Sequence, residues 1–324
     1  MALKGLRRLF GTAAGVIVAA AASAPMERAN AERANAERAG AQRTLPAPTG
    51  CPAELPADQV ADEGKVRAIS DGRSFVLDDG RDIRLAGIEV PLPPGSGDSG
   101  ERAEAARGAS RAARAALESI LLGPDLGGQT VKLRPSGAAD DRYGRMLAHV
   151  YVVRTGLGDS LGNSVAHEML GRGFARFSAQ IGNPAGKNAG DRTTDRLCAA
   201  ELLGRERAAR DAKLGLWGEP YYGVVGAESG AELVAERGYF TVVEGKVVSV
   251  RESGGTIYVN FGRRWSEALT VTILKRHERS FAAAGLEPRR LESRRVRVRG
   301  WVEERNGPRI EAARPEQIEI AERN

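Results

Sequence analysis

Arginine and tryptophan are interleaved twice near the C-terminus: Arg263 and Arg264 precede Trp265, and Arg295, Arg297 and Arg299 alternate ahead of Trp301. If the second run is a strand, its alternate positions share one face. Guanidinium groups beside flat rings suit single-stranded nucleic acid, whose phosphates need neutralising and whose bases stack. The same pattern also describes a basic sheet face with both tryptophans packed inside. Zinc chemistry is poorly supplied, because the three histidines, His149, His167 and His277, are scattered along the chain. Each is expected to be a strand or helix residue with a local hydrogen bond.

Charge is unevenly distributed over the 324 residues. Residues 239–324 hold 17 Lys/Arg against 12 Asp/Glu, whereas residues 51–238 hold 24 against 27. A polyanionic partner is therefore expected of the last segment rather than the middle one. At the start, Lys4, Arg7 and Arg8 precede an apolar run from Gly11 to Ala22, and Ala20, Ala22 and Ala24 offer small-residue cleavage sites. Residues 1–24 are expected to be a signal peptide and the protein exported, periplasmic or secreted. Cleavage after Ala22 and retention as an anchor both stay open, since Pro25 disfavours cleavage after Ala24. The run is too short and Ala-rich to span a bilayer comfortably, and no stable membrane span is expected beyond it. In an oxidising compartment the two cysteines, Cys51 and Cys198, are expected to form a disulfide.

The elements that must position these residues follow from periodicity. Residues 25–59 repeat Ala-Asn-Ala-Glu-Arg and then turn Pro-rich, which predicts a disordered spacer with no apolar face to bury. From Gly64 the apolar residues alternate through Val66, Ala68, Phe75, Leu77, Ile83 and Leu85. Asp71-Gly72 and Asp79-Gly80 separate the runs, so a three-strand meander is predicted. Helices are predicted over Glu101–Leu122, Asn163–Phe174 and Asp195–Leu214, and strands over Thr130–Arg134 and Met146–Val153. Residues 218–238 are expected to be a linker. Beyond them, strands over Tyr239–Arg251, Thr256–Phe261 and Ala268–Leu274, a helix over Arg276–Ala284, and strands over Arg295–Glu303 and Arg309–Ala312 have the element order of an OB-type barrel, with Asn306-Gly307 as a turn. The fold class is mainly β with helices (α+β).

Three segments of the first domain carry a family resemblance. Asp71-Gly72-Arg73-Ser74-Phe75-Val76-Leu77, Arg84-Leu85-Ala86-Gly87-Ile88-Glu89-Val90-Pro91 and Asp141-Arg142-Tyr143-Gly144-Arg145-Met146-Leu147-Ala148 resemble, in order and spacing, the signatures of the staphylococcal nuclease (thermonuclease) family. Lys213-Leu214-Gly215-Leu216-Trp217 is similar to the end of that family's last helix. The resemblance covers residues 60–217 and implies an OB-type five-stranded barrel with covering helices, ahead of a second OB-like barrel over 239–324. It also implies a phosphodiester substrate.

Hydrolysing a phosphodiester requires neutralising an extra-negative transition state, activating a water and holding the phosphate on a metal. By the resemblance, Arg84 and Arg145 stand where the family's two phosphate-gripping arginines stand, and Tyr143 matches its motif tyrosine. Both arginines also admit a structural role, as ion-pair partners of Glu89 or Asp71. Asp71 matches one motif aspartate, but Arg73 occupies the place of a calcium-binding aspartate. Glu89 replaces the other ligand, and Leu92 replaces the water-orienting glutamate. An arginine at a ligand position repels a hard cation, and a leucine orients no water. Calcium, if held, would rest on Glu89 and Asp71. Arg73 is a candidate phosphate binder in place of the ion, and Glu101 and Glu104 are possible substitute carboxylates. The expected function is nucleic-acid or other phosphodiester binding with hydrolysis weak or lost. The alternatives are an active metal-dependent nuclease and an envelope protein-interaction scaffold.

Overall fold

The computed structural model describes residues 62–123, 128–136, 140–141, 143–153, 161–179 and 189–321. The expected signal, the spacer and Cys51 lie outside the described residues.

Period-two alternation becomes a closed barrel. Strands β1 (Asp62–Ile69), β2 (Ser74–Leu77) and β3 (Asp82–Leu85) form the meander, and β4 (Ile88–Glu89) follows a turn at Gly87, whose φ of 79° only glycine adopts easily. Helix α1 (Glu101–Leu121) separates these from β5 (Thr130–Pro135) and β6 (Met146–Val153). β5 pairs with both β1 and β6, and β6 closes the ring by pairing in parallel with β3, Ile83 opposite Met146. Five strands are thus wound β1-β2-β3-β6-β5 and back to β1, the order of an OB-type barrel. Its interior takes one set of alternate side chains, Phe75, Leu77, Ile83, Leu85, Val131, Leu133 and Val150, each at most 1% exposed. The other set, including Arg84, is left for the outside.

Helices cover the barrel. α1 is rich in alanine, and that lets it approach closely: a Cβ on Gly72 of the β1–β2 hairpin would stand 2.8 Å from the Cβ of Ala113. Strand β7 (Leu161–Ser164) runs into α2 (Val165–Gly171), and β8 (Arg176–Phe177) pairs with β4. Helix α3 (Ala189–Asp211) presents the buried Cys198, Ala199 and Leu202 to the same core.

The expected linker carries secondary structure of its own, namely β9 (Val225–Gly226) and α4 (Gly230–Ala235). The expected strand Tyr239–Arg251 is bent into β10 (Phe240–Lys246) and β11 (Ser249–Ser253). At the bend Val247 N–H donates to the Arg294 carbonyl and Val248 N–H to the Asn260 carbonyl, so one strand serves neighbours on two sides. β12 (Thr256–Asn260), β13 (Thr270–Leu274), α5 (Glu278–Ala283), β14 (Arg295–Glu304), β15 (Pro308–Glu311) and β16 (Ile318–Ile320) complete a sheet ordered β11-β12-β13-β15-β14-β10-β9, with β16 on β14. From β10/β11 through β15 this repeats the winding order of the first barrel. Asn306, at φ 57°, and Gly307 make the predicted β14–β15 turn.

A buried ion pair joins this sheet to the barrel. Glu206 of α3 and Arg299 of β14 are both 0% exposed, and Arg299 Nη1 donates to the Glu206 carboxylate at 2.7 and 2.9 Å. Glu206 also accepts from the backbone N–H of Phe177 and from Arg210. Removing Arg299 would leave the buried Glu206 with Arg210 as its remaining cation at 3.1 Å. Arg299→Met is therefore expected to cost about 3–5 kcal/mol in chemical denaturation, and adding Glu206→Gln should recover part of that loss. A cost below 1 kcal/mol would show that the pair is not what holds the seam.

Candidate phosphate site and the cavity beside it

Parallel pairing of β3 with β6 brings two distant motifs together. Arg84 lies opposite Leu147, and Arg145 sits one residue before β6, alongside Asp82. The β1–β2 hairpin adds Arg73, which immediately precedes Ser74, the register partner of Arg84. Asp71 shapes this hairpin: its Oδ1 accepts the backbone N–H of Arg73 at 2.8 Å, the local bond that favours aspartate in turns.

Glu89 is 2% exposed and takes two guanidinium groups, Arg73 Nη1 on Oε2 and Arg84 Nη2 on Oε1, the latter at 3.2 Å. The structural role considered for Arg84 is therefore present in its bond to Glu89. Arg145 has a partner that the sequence did not suggest, since its Nε and Nη2 grip Asp141 Oδ2 at 2.9 and 2.7 Å. Arg84 Nη1 approaches the same oxygen at 3.7 Å. A single carboxylate thus lies between two partly exposed guanidinium groups. Beside them the Tyr143 ring, 66% exposed, lies 5.1 Å from the Arg145 guanidinium carbon.

The cluster sets its own titration. Burial, reinforced by the charge of Arg84, lowers Arg73 to about 10. Burial and the neighbouring Arg145 also lower Arg84, whereas the hydrogen bond to Asp141 raises Arg145. Burial pushes Asp141 up, but bonds from the Arg145 side chain and from the backbone N–H groups of Tyr143 and Arg145 outweigh it and hold the carboxyl at about 2. Burial raises Asp82.

These residues do not fit a calcium ion. The guanidinium of Arg73 engages Glu89, one of the two expected ligands, and Asp71, the other, is engaged in its hairpin. Among the described residues no three His, Cys, Asp or Glu side chains gather as a metal site. Nor do the possible substitutes join the cluster: Glu104 pairs with Arg107 and Arg111, and Glu101 accepts from the Tyr221 hydroxyl.

The basic face expected on β14 is also corrected. Arg295 and Arg297 pair with Glu244, Arg297 pairs with Glu319 as well, and Arg299 is buried on Glu206. Trp301 is half-buried against Phe240, whereas Trp265 is 57% exposed and stacks on Tyr258 at 6.4 Å. Of the histidines, His149 is buried on β6 and lowered by that burial to about 3. His167 on α2, lowered by burial to about 4, faces Glu201 at 3.3 Å.

Asp141 supplies a test of this geometry. Its folded pKa of about 2 lies below its ordinary 3.8, so its stabilising effect is present above about pH 4 and is lost as pH falls through about 2. Asp141→Asn should flatten the acid limb of a stability–pH curve in that window. An unchanged limb would mean that the Arg145 contact is not made in solution.

The model of the staphylococcal nuclease homologue family matches residues 82–219, which span β3 through α3 and the turn after it. Arg84, Glu89, Tyr143 and Arg145 fall inside this range, and the Asp71–Leu77 segment falls before it. No curated protein matches the chain. With the closed five-stranded barrel, its winding order and its covering helices, the match establishes that this chain carries a staphylococcal nuclease-like domain.

Proposed function

We propose that this domain binds the phosphate backbone of nucleic acid through Arg84 and Arg145, with Arg73 behind them, and that phosphodiester hydrolysis is weak or lost. The observation that carries this is the pair of partly exposed guanidinium groups sharing the Asp141 carboxylate. A phosphodiester offers the same forks two non-bridging oxygens that share one negative charge, as a carboxylate does, and can take the place of Asp141. Arg73 neutralises Glu89 as a metal would, but it supplies no Lewis acid. Leu92, on the loop after β4, supplies no base.

Export belongs to the same proposal. It rests on the basic and apolar pattern of residues 1–24 and on the even pair of cysteines. Cys198 is 1% exposed. Non-reducing peptide mapping of the secreted protein should recover Cys51 and Cys198 in one linked fragment, and two free thiols would refute the disulfide.

Binding is tested with a fluorescent octathymidylate at several salt concentrations. Arg84→Ala and Arg145→Ala should each weaken binding and reduce the salt slope by about 0.7. Asp141→Asn, which removes the competing carboxylate charge, should tighten it. Octathymidylate binding that none of the three changes alters would refute the assignment. Arg73→Asp with Leu92→Glu should raise calcium-dependent cleavage above the native level. Rapid cleavage by the native protein, unaffected by Arg84→Ala, would also contradict it.

A further inference from the structure

Glu89 has a second side. Together with Leu92, Arg102 and Arg176 it lines a cavity of about 370 Å³ that runs between the barrel and the C-terminal sheet. This lies within the size range of small-ligand sites. Five aromatic residues, Tyr221, Tyr222, Tyr239, Phe240 and Trp301, also line it. All five lie beyond the 82–219 range, whereas Glu89, Leu92, Arg102 and Arg176 lie within it, so the cavity is made jointly by the nuclease-like domain and the segment that follows it.

Its charges are not equally satisfied. Arg102 pairs with Glu236 and lies 5.9 and 5.8 Å from the ring centres of Tyr221 and Tyr239. Glu89 is taken by Arg73 and Arg84. Arg176 differs from both. It is 6% exposed and, among the described residues, bonds to two carbonyl oxygens, those of Phe240 and Tyr222, each at 2.6 Å. Its guanidinium lies 5.3 and 5.6 Å from the rings of Tyr222 and Trp217, and its buried Nε makes no hydrogen bond among the described residues. That Nε is fully buried and out of a ligand's reach, whereas the flat rings that line the cavity favour a planar ligand.

We propose that this cavity receives an unpaired nucleobase of the strand whose phosphate the arginines hold. The inference rests on the phosphate-binding function proposed above. A base has a π-face for the aromatic side chains and carbonyl or ring-nitrogen acceptors for the partly exposed Arg102, the combination by which single strands are recognised. Glu89 joins the two compartments: the residue gripped by Arg73 and Arg84 on one side lines the cavity on the other.

The test compares octathymidylate with an octamer of abasic deoxyribose phosphate, which has the same backbone charge and no bases. The native protein should prefer octathymidylate by roughly tenfold or more, the usual size of one base–aromatic stack. Trp301→Ala should abolish the preference and leave abasic binding unchanged. Leu92→Trp, which fills the cavity from its rim, should do the same and covers the case in which Trp301→Ala fails to fold. Equal native affinity for the two strands would overturn the cavity proposal while leaving phosphate binding intact, and so would a preference that survives Leu92→Trp. Failure of the phosphate function would show differently, as abasic binding that Arg84→Ala does not weaken.

Discussion

A buried carboxylate must be neutralised, and in this protein that requirement falls on Glu89. At 2% exposure it needs a cation or a proton, and it has two guanidinium groups, Arg73 and Arg84. Breaking such a cluster from one side leaves the remaining charge unpaired, at a cost of about 3–5 kcal/mol. The rest of the site is arranged around this constraint. Arg73 is committed inward, Arg84 is shared between Glu89 and Asp141, and Arg145 grips Asp141 beside Tyr143. The surface therefore carries two partly exposed arginines on one carboxylate, the arrangement on which the proposed phosphate binding rests.

A second buried network sets the cavity wall. Glu206 and Glu319 between them meet Arg207, Arg210, Arg297 and Arg299 along the seam between α3 and the C-terminal sheet. Ala209 and Trp217 form a small apolar cluster with Val242 at the same seam. The ion pairs add specific geometry to it, which favours one docking of sheet on barrel. That docking brings Phe240 and Trp301 into one cavity lining with Glu89 and Arg176.

Much of the fold was legible in the sequence because its signals are local. The Asp-Gly turns, the alternation of Phe75, Leu77, Ile83 and Leu85, and the alanine-rich α1 with its glycine stop all act over a few residues. Short elements without a periodic signal were missed: β7, β8, β9, β16 and α4 each span six residues or fewer and depend on tertiary partners. The site was legible as far as the motifs carried it. Arg73, Arg84, Glu89 and Arg145 do come together, but the partner of Arg145 was missed although Asp141 precedes it by one helical-turn spacing in the same motif. The alternating arginines of β14 misled for a physical reason. A strand pattern shows which residues share a face, and cannot show that Glu244, Glu206 and Glu319 from other elements meet them there. Arg176 gave no signal at all, since its environment is made by Tyr222, Trp217 and Phe240, far away in the chain.

In the proposed site the Arg73 guanidinium takes the place of a divalent ion beside Glu89. Isothermal titration of calcium into the native protein decides this, with Glu89→Gln as the control. The expected result is no saturable calcium binding at millimolar concentrations, and octathymidylate affinity that is the same in chelator as in calcium at equal ionic strength. A stoichiometric calcium site that is lost in Glu89→Gln, or nucleic-acid binding that vanishes with chelator, would contradict it.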